Sequence, residues 1–140
     1  TIKKLNLKIV DSHEYYSHAF TLGIPEKGLM NLKDKLFGLE ANFEILQAID
    51  FKKGCFVGQE NTARMKLKNK IRRKLLPIIS SENLAVGDEI KYKNTVVGKI
   101  LIDKPYPFGL IKIVDPNLEE FKNAELFANN KKCKILKHVK

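Results

Sequence analysis

The sequence predicts an α+β fold. A mixed helical and irregular segment runs to about residue 69, and a small antiparallel six-stranded β-barrel fills 70–140. Three observations carry this. Six short apolar-rich stretches bounded by turn residues follow Lys70. An apolar stripe at helical spacing follows Asp11 and Ser12. The charge balance also changes between the two parts. Residues 1–65 carry nine basic and eight acidic side chains, a net of +1, whereas 66–140 carry seventeen and eight, a net of +9.

Taken in order, Leu5, Leu7 and Ile9 alternate with polar residues, so 4–10 reads as a strand. Asp11 or Ser12 then caps a helix to about Leu22, with Tyr15, Tyr16, Ala19 and Phe20 on one stripe. Gly23-Ile24-Pro25 ends it. Residues 26–40 read as loop with short helical turns. A short helix is expected over 40–48, where Phe43, Leu46 and Gln47 lie at helical spacing. Residues 52–58 hold two glycines and form a turn or helix entry, and 59–67 is helical. Strands follow over 73–79, 89–93, 96–103, 108–114, 125–128 and 133–139. Turn signals such as Lys93-Asn94 and Asn129-Asn130 separate them. Residues 118–123 form a helical turn within the barrel.

The composition excludes several classes. The two cysteines, Cys55 and Cys133, lie 78 positions apart, so neither a disulfide scaffold nor a paired-cysteine zinc site fits. His13 and His18 are five apart, not the three or four that share a helix face, and no metal site is expected. There is no P-loop, and Gly23 and Gly28 do not form a dinucleotide fingerprint. No apolar run approaches the roughly 20 residues of a membrane helix. A cytoplasmic location with no membrane partner is therefore expected. Tyr106 and Phe108, set among Pro105, Pro107 and Gly109, suit turn packing better than a ligand-stacking surface.

The net charge of +10 invites a nucleic-acid reading. Its densest run is Lys66, Lys68, Lys70, Arg72, Arg73 and Lys74. Yet 23 of the 26 basic residues are Lys, and nucleic-acid readers favour Arg for bidentate contacts. Weak nucleic-acid binding through 66–74 is the most this run implies.

The stretch with chemistry in it is Lys52-Lys53-Gly54-Cys55-Phe56-Val57-Gly58-Gln59-Glu60, followed by Arg64. Two lysines precede the thiol. A helix beginning near Val57 would place Cys55 near free N–H groups that favour a thiolate. Gly54 and Gly58 permit close approach of a ligand or another backbone. Gln59 and Glu60 could bond exposed amides, and Glu60 and Arg64 have the spacing of an intrahelical pair. The same stretch equally suits a small buried cysteine in a tight turn. Cys133, in a predicted strand, reads as structural.

Lys53 to Glu60 closely resembles the signature of the YgfZ family of folate-binding proteins, Lys-Gly-Cys-Tyr/Phe-x-Gly-Gln-Glu. Arg64 matches the arginine that usually follows, and Phe56 stands where Tyr is common. Gly23-Ile24-Pro25 and Glu40-Ala41-Asn42-Phe43 resemble the family's lead-in, and the β-rich part resembles its C-terminal barrel. The family is similar in fold to the glycine-cleavage T-protein, a tetrahydrofolate-dependent aminomethyltransferase whose corresponding stretch lacks this cysteine.

The resemblance implies that 1–69 is the end of a central α+β folate-binding-type domain and 70–140 its C-terminal barrel. It implies a folate-dependent factor that makes or repairs iron–sulfur clusters, with tRNA-modifying enzymes among its clients. Cys55 would carry that role, with Lys53, Gly54, Phe56, Gly58, Gln59, Glu60 and Arg64 shaping its surroundings. Tetrahydrofolate and iron–sulfur client or assembly proteins are the implied partners. Family members are longer, so the chain, which starts at Thr1, is expected to be the C-terminal half of a larger protein, with most of the folate pocket upstream. One cysteine cannot hold a cluster that needs about four protein ligands. Cys55 thus reads as a transient ligand, a redox thiol or a covalent carrier. Two alternatives remain: a T-protein-like aminomethyltransferase, which would make the chain part of an enzyme, and an RNA-binding β-barrel.

Overall fold

The computed structural model describes residues 8–54 and 56–136. Its centre is a closed barrel of six antiparallel strands in the order β1-β4-β3-β2-β5-β6. They are β1 (Arg73–Ser80), β2 (Glu89–Tyr92), β3 (Thr95–Ile102), β4 (Phe108–Lys112), β5 (Leu126–Ala128) and β6 (Lys131–Ile135). Each of the six strands expected after Lys70 is present. The sixth begins two residues earlier than expected and ends at Ile135, and the 137–139 part of the expectation lies outside the described residues.

Two hairpins set the register. Lys93-Asn94 joins β2 to β3 and Asn129-Asn130 joins β5 to β6, with φ of 45° and 67°, and 48° and 66°. Two consecutive positive φ values are what a type I′ turn needs, and its twist matches that of the flanking strands.

Alternation along the strands makes two apolar clusters. Leu76, Ile78, Ile90, Ile100, Ile111 and Phe121 belong to the larger one, inside the barrel. Phe121 comes from α3 (Leu118–Phe121), which Asn117 caps by accepting the Glu119 N–H at 3.0 Å. Leu75, Ile102, Phe108 and Leu110 point the other way and are covered by Leu32. β3 carries an extra residue at Val97 against β2 and another at Leu101 against β4, and such bulges bend a strand around a small barrel. Close strand approach also requires Gly98. A Cβ there would sit 2.6 Å from Ile111 Cδ1 and 2.7 Å from the Leu110 carbonyl oxygen.

The preceding segment straps the barrel's outer wall. α1 (Ser12–Thr21) begins at Asp11, whose carboxylate accepts the His13 N–H at 2.7 Å. Residues 8–10 are irregular rather than strand, and 4–7 lie outside the described residues. Phe20 on α1 stacks on Tyr106 at 4.8 Å and meets Phe108 edge-on at 5.5 Å. The Tyr106 hydroxyl bonds His13 Nε2 at 2.8 Å. The Pro-rich turn therefore packs on a helix, as its residues suggest. A short 3₁₀ turn (Leu29–Leu32) follows.

Residues 40–48 are not the expected helix but a run of hydrogen-bonded turns. Asn42 and Gln47 have φ of 64° and 55°, outside the right-handed helical region. Their work is on β1. That strand pairs with β6 only from Ile78 onward, which leaves the Leu75 edge open. The Leu75 N–H donates to the Glu40 carbonyl at 2.7 Å, and Asn42 Nδ2 donates to the Leu75 carbonyl at 2.6 Å. Glu40, buried, receives Arg73 Nε at 2.9 Å and the Phe37 N–H at 3.0 Å. An open strand edge is thus closed by a strap rather than by a seventh strand.

Candidate functional site

Along the chain, the cysteine motif lies between the strap and the barrel. Asp50 accepts the Lys52 N–H at 2.8 Å, making a tight side-chain turn. Phe56 and Gln59 then close a second turn. The Gln59 N–H donates to the Phe56 carbonyl at 3.0 Å, and Gln59 Oε1 accepts the Phe56 N–H at 3.5 Å. Gly58 has φ 92° within this turn. Only after it does α2 (Glu60–Leu67) begin, with Gln59 as its N-cap. The helix thus starts within one residue of the expected 59–67, and three residues after the Val57 start assumed for the thiolate, because Gly58 is left-handed. The helix-dipole argument for Cys55 rests on a start near Val57 and does not carry over to a start at Glu60.

Cys55 itself lies outside the described residues, but its neighbours define the place. Phe56 is 70% exposed and Val57 99%. A Cβ on Gly54 or Gly58 would meet nothing within 4 Å. Lys53 Nζ lies 5.5 Å from the Phe56 ring centroid, within cation–π range. Among the described residues, α2 buries none of its side chains. The expected Glu60–Arg64 ion pair is not formed among them either. Lys66 instead pairs with Glu44 and lies 5.9 Å from the Phe51 centroid.

The loop and helix enclose a cleft of about 160 Å³, lined by Asp50, Phe51, Lys53, Gly54, Gln59 and Thr62 among others. Lys53, Gly54 and Gln59 thus come together around it, while Phe56 and Gly58 lie on the projecting turn. Ligand pockets for drug-sized molecules start at roughly 300 Å³. This cleft by itself is therefore too small for a folate. Among the described residues, no group of three His, Cys, Asp or Glu side chains is placed to hold a metal ion.

The remaining expectations fall out differently. Cys133 is buried in β6 within the barrel core, and burial pushes its thiol up to about 11. The run over 66–74 is not one free basic face, since Lys66 pairs with Glu44 and Arg73 with Glu40. Sequence reasoning missed Glu40 and Asn42 as the clamp on β1. A buried acid facing an arginine 33 positions away leaves no local signal.

No protein-family model matches the chain. Curated relatives do. Over 113 residues, 80% of this chain, it is 33% identical to the mitochondrial iron–sulfur cluster assembly factor IBA57 homolog of Neurospora crassa. It is 30% identical over 91 residues to the protein of the same name in Pyricularia oryzae. Over 72 residues it is 35% identical to the mitochondrial iron–sulfur cluster assembly factor IBA57 of Homo sapiens. These alignments cover 23%, 23% and 20% of the relatives, so the chain spans about a quarter of their length or less.

Proposed function

We propose that this chain is part of an iron–sulfur cluster assembly factor, and that the loop around Cys55 is where it works. The similarity to proteins of that name supports the first statement. One observation carries the second: the turn after Cys55 projects, with Phe56 and Val57 in solvent and open space at Gly54 and Gly58. A thiol that precedes two exposed apolar side chains in the chain suits brief docking of a client and exchange of one thiolate ligand for another at the cluster. Such an exchange needs no net oxidation, so no further reagent is required. The cluster is cargo here.

The motif's resemblance to the YgfZ signature supports a tetrahydrofolate requirement in a protein of the relatives' length, with 1–69 completing a folate-binding domain there. Lys53, Gln59, Glu60 and Arg64 are the support residues of the same proposal. The relatives are named as mitochondrial. For this chain we propose a thiol-reducing compartment, cytosol or mitochondrial interior, which the absence of a cysteine framework suits. No helix among the described residues is long and apolar enough to cross a membrane.

The test is re-supply. Cells depleted of the protein receive the full-length form, and radiolabelled iron is counted in their cluster enzymes. Recovery of label supports the proposal, and unchanged incorporation after depletion overturns it. The transferase alternative predicts aminomethyl transfer that survives Cys55→Ala. Thiol chemistry adds a further check: iodoacetamide should modify Cys55 faster than Cys133 in the folded protein, and equal rates would argue against an accessible working thiol.

A further inference from the structure

On the outer wall of β1, β4 and β3, a groove of about 320 Å³ opens where the strap's cover ends. Four cationic side chains line it: Lys35 from the strap, Arg73 on β1, Lys112 on β4 and Lys99 on β3. Half-buried Leu101 and Val96 contribute apolar surface, and the nearly buried Leu110 also lines the groove. Arg73 and Lys112 are register partners on adjacent strands, and Lys99 pairs with Leu110 two residues along β4. Like charges placed opposite one another on a sheet face destabilise it. Glu40 offsets Arg73 at 2.9 Å. Among the described residues, Lys35, Lys99 and Lys112 have no carboxylate within ion-pair distance. Glu89, the register partner of Lys99, lines the same groove and is its one acidic side chain, so four cations face a single carboxylate there besides the Glu40 that holds Arg73.

We infer that this groove docks a linear acidic segment of a partner protein, one that carries aliphatic side chains among its carboxylates. The cations complement the carboxylates, and Leu101 and Val96 take the aliphatic groups. Nucleic acid fits less well. A phosphate backbone gains from a long basic stripe, whereas this groove is short, largely lysine and bounded by Glu89. A closed barrel has no free edge for strand addition, so the contact is through side chains. The inference does not depend on the role of Cys55.

Fluorescence anisotropy on the full chain tests it, with a labelled peptide of Glu-Leu and Asp-Ile pairs at physiological salt. Three comparison probes are the same peptide with Gly replacing Leu and Ile, oligoglutamate and a single-stranded oligonucleotide. The first peptide should bind best. Reversing Lys99→Glu with Lys112→Glu should weaken it by about tenfold or more, because each reversal turns an attraction into a repulsion. Lys104→Glu with Lys134→Glu, an equal change of net charge elsewhere on the exposed surface, should cost far less. A Lys99→Gln, Lys112→Gln pair gives a milder loss if the reversals unfold the barrel. Equal losses from groove and control reversals would overturn the inference. So would equal binding of the Gly-substituted peptide, tighter groove-dependent binding of the oligonucleotide, or no binding of any probe.

Discussion

The barrel and the motif region differ in what holds them. In the barrel every strand is paired on both sides and the interior is closed around Phe121, Ile90 and Ile100. Over 49–67, among the described residues, the helix buries nothing and the turn before it stands in solvent. Stability therefore resides in one region, and the chemistry we propose in the other. A region that must offer side chains to a partner cannot also bury them, which is why working loops come from the less stable part of a fold.

The sharpest way to break this comparison is to empty the core. Phe121→Ala should cost about 3–5 kcal/mol by removing a fully buried ring, measured as a lower urea midpoint. Gly98→Ala should cost about 1–3 kcal/mol, because its Cβ meets the Leu110 carbonyl, a backbone atom that cannot swing away. Asn42→Ala should cost about 1–3 kcal/mol by leaving the Leu75 carbonyl without its donor. Phe56→Ala should fall within about 0.5 kcal/mol of the parent chain, as exposed positions do. A large loss there would mean that the loop is part of the core after all.

Alkaline pH sharpens the comparison from the barrel side. Burial raises the Cys133 thiol from an ordinary 9.0 to about 11, so the folded chain keeps a proton that the unfolded chain releases. Its contribution to stability is complete below about 9 and is lost as pH rises towards 11. Chemical denaturation across that window should show a steeper decline for the parent chain than for Cys133→Ala. Parallel curves would mean that the thiol ionises alike in both states.

The same contrast explains what could be read from sequence. The strands were legible because their signals are local: two-residue alternation, and turns such as Lys93-Asn94 whose residues tolerate positive φ. Cys133 was legible as structural because it sits in such a strand. The 40–48 segment was misread because Phe43, Leu46 and Gln47 keep helical spacing while Asn42 and Gln47 take left-handed φ, and Asn42 is held by the distant Leu75 edge. The 59–67 helix was legible to within a residue, whereas a start near Val57 is blocked by the left-handed Gly58. The motif was legible as a pattern of residue types, but its projection into solvent was not, because exposure depends on what the rest of the fold leaves uncovered.

The most direct measurement supplies full-length protein carrying either Cys55→Ala or Cys133→Ala, at matched protein level, to cells depleted of the parent. Iron incorporated into cluster enzymes is then counted. The account predicts that Cys55→Ala fails to restore it and that Cys133→Ala restores it in proportion to the folded fraction. Full restoration by Cys55→Ala would contradict it.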